Sequence, residues 1–138
     1  MFALTERKKN TQLIINRTQQ FLYKITGDDV TSGFILALCH WLITLGPLVY
    51  LCLGPVNLGF YIFTVFLYVI VALHFYFNGC ILVRIERHLW QTSQWWGPWM
   101  FIFTPLEYLG IPMTNVLARR IINGGIVLIT LIIITKIG

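Results

Sequence analysis

His40, His74 and Asn78 are the residues of this chain best placed to do chemistry, because all three lie within the uncharged stretch 33–83. A polar side chain inside so apolar a segment is costly without a partner, so it marks either a functional path or a pinning contact. His40 precedes a Gly-Pro turn by about as many residues as His74 follows it, and an antiparallel hairpin would set the two rings at similar depth. Asn78 lies one helical turn beyond His74 on the same face. Several roles fit: a hydrogen-bonded pair that pins the hairpin, a proton or ion relay built on a side chain that titrates near neutrality, or axial ligation of haem or a metal. Haem ligation ordinarily draws on more than one such pair, and a metal wants a third ligand, which is not found at that depth. His40 can also face lipid beside Trp41. No cofactor and no metal are expected.

The elements that must position these residues are membrane helices. Residues 33–83 contain no Asp, Glu, Lys or Arg. About 20 apolar residues cross the hydrocarbon core of a bilayer, so the stretch reads as two crossings, 33–53 and 60–83, joined by the turn Gly54-Pro55-Val56-Asn57-Leu58-Gly59. Gly46-Pro47 is expected to kink the first. The second is expected to run on as a wetted helix through Arg84, Glu86, Arg87, His88 and Trp90. A third crossing, 121–135, is bounded by Arg119-Arg120 and Lys136; at about 22 Å it is short and needs snorkelling ends or a thinned bilayer. The composition agrees: of 138 residues 57% are hydrophobic and 11% charged, against roughly 25% charged in soluble proteins. The mean hydropathy is +0.76.

The remaining segments read as interfacial. Within residues 1–27, Ile14, Ile15, Thr18, Phe21, Leu22 and Ile25 share one helical face, with Arg17 and Lys24 at its edge placed to snorkel. Packing of that helix on a neighbour is the alternative. Gly27 is a helix stop, and Asp28 or Asp29 a cap for the next helix. Residues 91–118 carry Trp95, Trp96, Trp99, Phe101, Phe103 and Tyr108, broken by Pro98, Pro105 and Pro112. Trp and Tyr favour the headgroup level, so the segment is expected to be interfacial or re-entrant. A full crossing over 95–117 would have to bury Glu107. The fold expected is a single all-α integral membrane domain: an amphipathic N-terminal helix, a helical hairpin, an aromatic interfacial segment and a C-terminal crossing.

With three crossings, Arg7, Lys8, Lys9, Arg17, Lys24, Arg84, Arg87, Arg119 and Arg120 share one side. Of the 10 basic residues only Lys136 lies opposite. The positive-inside rule places the N-terminus on the cytoplasmic side of a multi-pass protein. No apolar h-region follows Glu6-Arg7-Lys8-Lys9, so the N-terminal segment is expected to be kept. The net charge of +5 is concentrated at the ends of apolar segments, which points to anionic lipid and topology rather than nucleic acid. Arg17, Lys24, Arg84, Arg87, Arg119 and Arg120, with Trp95, Trp96 and Trp99, are the expected contacts to lipid headgroups and protein partners. Glu86 is expected to pair at the membrane edge with a neighbouring chain or a phosphate, and Glu107 with Arg87, Arg119 or Arg120. Cys39, Cys52 and Cys80 read as small apolar membrane residues; Cys39 and Cys52 share a helix about 20 Å apart and cannot bridge. No G-x-S-x-G, Walker loop, H-E-x-x-H or C-x-x-C motif is present, and enzymatic activity is not expected.

The stretch His74-Phe75-Tyr76-Phe77-Asn78-Gly79-Cys80-Ile81-Leu82-Val83-Arg84-Ile85-Glu86 gives the pattern H-x3-N-x-C-I-L-x3-E. It resembles small uncharacterised multi-spanning membrane proteins, several from large double-stranded DNA viruses. Viral members often have an acidic residue before the Cys and a Ser after the aliphatics, where this chain has Gly79 and Val83. The resemblance covers residues 74–86 and implies a virus-encoded membrane protein with no known activity. The sequence predicts a non-enzymatic structural membrane protein anchoring a larger assembly to a bilayer, and the resemblance implies a viral internal-membrane or minor capsid-associated protein. A small channel or transporter subunit using His40, His74 and Asn78, or a haem-binding electron-transfer subunit, is the alternative.

Overall fold

The computed structural model describes the backbone of residues 2–138, and side chains from residue 4 onward, so the first residue of the segment 1–27 lies outside the described residues. All regular structure among them is helical: α1 (Phe2–Thr26), α2 (Asp29–Leu53), α3 (Leu58–Tyr76), α4 (Ile81–Trp90), a 3-10 turn (Gly97–Trp99), α5 (Met100–Tyr108) and α6 (Asn115–Ile137). Three of these, α2, α3 and α6, are long and apolar enough to cross a membrane. Their 25, 19 and 23 residues correspond to about 37, 28 and 34 Å.

α2 is the spine of the molecule, and its two halves pack against different partners. Leu36 of the first half joins Ile15 and Leu22 of α1 and Ile85 and Leu89 of α4 in one apolar cluster. Leu51 of the second half joins Phe60 of α3 and Ile129 and Ile133 of α6 in another. α2 starts sharply because Asp28 caps it: the Thr31 N–H donates to the Asp28 carboxylate at 2.8 Å. The Thr31 hydroxyl and N–H hold the Asp28 carboxyl below the usual carboxylate range. The helix continues through Pro47, which is buried. At its far end Lys136 of α6 donates to the carbonyls of Leu51 (3.0 Å) and Gly54 (2.7 Å), holding a cation against the negative end of the α2 dipole. Lys136→Met is expected to destabilise the bundle by about 2 kcal/mol, read as a lower unfolding midpoint in mild detergent.

The structure corrects the sequence reading at two places. The second apolar stretch is not one helix over 60–83: it breaks at Phe77–Cys80. The Gly79 N–H donates to the His74 carbonyl and the Asn78 N–H to the Phe75 carbonyl, with Asn78 left-handed at φ 55°. This is a Schellman cap, and Asn is one of the few non-glycine residues that takes the left-handed position readily. α4 therefore starts afresh. Second, the third apolar helix is longer than 121–135. Thr114 caps it by accepting from the Leu117 N–H, so Arg119 and Arg120 lie inside its first turns rather than before it. The aromatic segment is broken, and no single helix covers 95–117. α5 has nine residues, about 14 Å, and ends at Gly110 in another Schellman cap.

The face of α1 divides in two. Ile15 and Leu22 are buried against α4, whereas Phe21 and Ile25 are exposed, as are Arg17 and Lys24. That helical face thus has one edge that packs and one that does not.

Candidate functional site

The site lies where the α3–α4 turn, α4 and the arm 92–99 close over the middle of α2. His40 on α2 and Glu86 on α4 are both buried, Glu86 completely. His40 Nδ1 lies 2.8 Å from Glu86 Oε1, the only basic and acidic side chains within ion-pairing distance among the described residues. The other carboxylate oxygen accepts from the Trp95 indole N–H at 2.6 Å. A carboxylate oxygen accepts from an N–H, so the contact places a proton on His40 Nδ1, and in the neutral imidazole Nε2 is then the ring's acceptor. Cys80 Sγ stands 3.4 Å from that Nε2.

The arm is held over this cluster from both sides. The Arg87 guanidinium donates through Nε to the Trp95 carbonyl and lies 4.6 Å from the centre of the Trp96 ring. Burial pulls the Arg87 pKa below the ordinary arginine value, with the neighbouring Arg84 charge adding to it. Gly97 has φ +65°, and a Cβ there would sit 2.8 Å from Val83 Cγ2 and 3.0 Å from His40 Cε1. Only glycine lets the arm approach so closely.

Two cavities meet at this cluster. One, of 270 Å³, is almost wholly apolar and lies between α2, α3 and α6, lined among others by Pro47, Leu67, Ile70, Ile126 and Ile129. The other, of 220 Å³, has mixed polarity and gathers Arg84, Arg87, Arg119, Asn115, Trp96 and Asn78. His74, Cys80, Trp99 and Ile122 line both. Arg84 is oriented by its hydrogen bond to the Asn78 carbonyl at 3.0 Å.

The residues singled out by sequence are thus brought together selectively. Arg84, Arg87, Arg119, Trp96 and Trp99 surround the polar cavity. Arg17, Lys24 and Arg120 are exposed and do not line it. Trp95 turns inward to Glu86 instead of outward to an interface. His40 and His74 share the apolar cavity without bonding to each other, because Glu86 and Cys80 take both His40 ring nitrogens. An axial haem bond from His40 would require breaking one of those contacts. Asn78 is used by its backbone to end α3. Glu86 is not an edge residue pairing outward; it is the most enclosed acid in the chain. Glu107 is exposed and ion-paired to none of the described residues. No group of three or more potential metal ligands occurs among them.

Cys80, Glu86 and Gly97 are the members that sequence reasoning missed. Glu86 carried a signal: with Leu82, Ile85 and Leu89 it occupies the i, i+3, i+4, i+7 stripe of α4, a core position for a carboxylate. Comparison of the chain with protein-family models, with curated proteins and with solved structures found no match.

Proposed function

We propose that this chain is an integral membrane protein that crosses the bilayer three times, through α2, α3 and α6, and binds an anionic phospholipid between its helices. One observation carries the reading. A pocket bordered by Arg84, Arg87 and Arg119 opens onto an apolar cavity between helices, the polarity profile of an anionic headgroup joined to an acyl chain. The bilayer itself accounts for the outward faces. In α3 only Phe60 is buried, while Ile62, Val65, Val69 and Leu73 stand exposed. So large an apolar surface is stable against lipid and not against water. With these crossings α1, α4, the arm and α5 share the side that carries the basic residues, which is the cytoplasmic side by the positive-inside rule.

Native mass spectrometry of the protein released from mild detergent tests this. The wild-type chain is expected to retain a phosphatidylglycerol. Arg84→Glu/Arg119→Glu is expected to lose at least about tenfold in retention, since it removes charge-assisted contacts of roughly 1.5–3 kcal/mol each. Arg120→Glu, outside the cavity, is expected to retain the lipid. Equal retention by all three proteins contradicts the site.

A second reading, an anchor for a larger assembly, is favoured by the uncovered edge of α1. Phe21, Tyr23 and Ile25 are each more than half exposed at the basic end. Lipid held between the helices and a partner docked on α1 use different surfaces of the chain.

A further inference from the structure

We propose that Cys80, His40 and Glu86 act as nucleophile, general base and positioning carboxylate in transferring an acyl group from a bound phospholipid to Cys80 and then to water. The substrate class rests on the lipid-binding reading above.

Three independent features meet at one sulfur. The first is the chain of contacts: Cys80 Sγ to His40 Nε2 at 3.4 Å, then His40 Nδ1 to Glu86 Oε1 at 2.8 Å. A thiol, a base and a group that orients the base are the parts of an activated nucleophile. The indole of Trp95 fixes the remaining carboxylate oxygen, so the orienting group is itself held. A contact that merely pinned α2 to α4 would be complete with Glu86 and Trp95; it would not require a thiol on the second nitrogen.

The second feature is the backbone. Cys80 is the N-cap residue of α4, and no side chain caps that helix. The first-turn N–H groups of a helix have no intrahelical acceptors, so those of Ile81 to Val83 are available to an oxygen that gains negative charge beside the sulfur.

The third is location. Cys80 borders both the apolar cavity and the arginine pocket. In a phospholipid the ester carbonyl lies between the acyl chain and the phosphate. A lipid seated with its chain in one cavity and its phosphate in the other therefore brings that carbonyl to Cys80. Gly97 and Trp95 cover Glu86 and His40 on the side of the arm, which strengthens their mutual interaction, while His40 borders the cavity from which substrate and water reach Nε2.

In the reaction His40 Nε2 takes the thiol proton as Sγ attacks the ester carbonyl carbon. The new C–S bond forms, the C–O bond to glycerol breaks, and the glycerol oxygen leaves with the proton from His40. Water then attacks the thioester with His40 as base. The C–S bond breaks, the fatty acid leaves, and the proton returns to sulfur. Cys80 and His40 are the catalytic residues, and Glu86 a positioning residue.

The test uses the full chain in mild detergent with a phosphatidylglycerol bearing an alkyne-tagged acyl chain. Retained phospholipid, hydroxylamine-sensitive tag on the Cys80 peptide and free tagged fatty acid are measured in one sample. Wild type is expected to show all three. Cys80→Ala is expected to retain the lipid, carry no tag at that peptide and release acid at least about 100-fold more slowly. Cys80→Ser, closer in size, serves as the second variant and is expected to show the same loss of the hydroxylamine-sensitive tag. Glu86→Gln is expected to slow acylation by about 100-fold or more and to move the pH profile of Cys80 alkylation by iodoacetamide, which a structural role alone would leave in place. Retained phospholipid with neither tag nor acid overturns the acyl-transfer proposal while leaving lipid binding intact, as does equal acid release by Cys80→Ala. Absence of any retained phospholipid, with no turnover, overturns both.

Discussion

Glu86→Ala is expected to destabilise the protein by about 2–6 kcal/mol, the cost of leaving two buried donors without their acceptor. The carboxylate has no exposure, and both of its oxygens are used. Its loss strands the His40 Nδ1–H and the Trp95 indole N–H away from water, and each orphaned donor is costly. It also leaves a void between His40 and Trp95. The consequence is local in the first instance: α4 and the arm lose their link to α2, while the Leu51–Phe60–Ile129 cluster at the opposite end is untouched. Amide exchange is therefore expected to accelerate in 81–99 far more than in 48–70. His40→Leu/Glu86→Leu removes both partners together and is expected to recover much of the loss, because it leaves no unpaired charge. If Glu86→Ala unfolds at the wild-type midpoint, the pair does not hold α4 and the arm to α2.

Gly97→Ala is expected to cost about 2–5 kcal/mol, two effects acting at one atom. The left-handed backbone at φ +65° disfavours any residue with a Cβ. That Cβ would also press on Val83 Cγ2 and on the His40 ring, and overpacking of this kind costs about 1–3 kcal/mol. The arm must lift, and when it lifts Trp95 leaves Glu86. The outcome is measured as a lowered unfolding midpoint together with increased quenching of Trp95 and Trp96 fluorescence by acrylamide. Gly110→Ala is the comparison: its φ is +81° but nothing lies within 4 Å of the new Cβ, so only the backbone effect applies. Equal losses at the two glycines would mean that contact with His40 plays no part.

The long apolar helices were legible because length and charge depletion report directly on what a segment must bury or expose. The caps at Asp28 and Gly27 were legible as well, being local chemistry. The break after Tyr76 was not, since Phe77-Asn78-Gly79-Cys80 is apolar enough to read as more helix, and only the left-handed Asn78 reveals the stop. The start of α6 was hidden for the opposite reason: Arg119 and Arg120 end an apolar window without ending a helix. The arginine pocket was half legible, as Arg84, Arg87 and Arg119 stood out by type but nothing in the chain order separates them from Arg17 or Arg120. His40 was found, and its partner was misassigned. Matching depth in a hairpin suggested His74, whereas the real partner comes from α4, which the α3 cap offsets so that it runs on along the first half of α2 with Cys80 beside His40 and Trp90 beside Gly33. Pairings set by such an offset are tertiary facts, and periodicity within one segment carries no record of them.

The most direct measurement is photolabelling with a phosphatidylglycerol that carries a diazirine in its acyl chain, followed by peptide mapping of the full-length protein in vesicles. A lipid held between the helices is expected to label the cavity walls at Leu67, Ile70, Ile126 and Ile129. That labelling is expected to fall in Arg84→Glu/Arg119→Glu. Label confined to outward residues such as Val65, Val127 and Leu131, and unchanged by that double substitution, would mean that the lipid only surrounds the protein and does not occupy it.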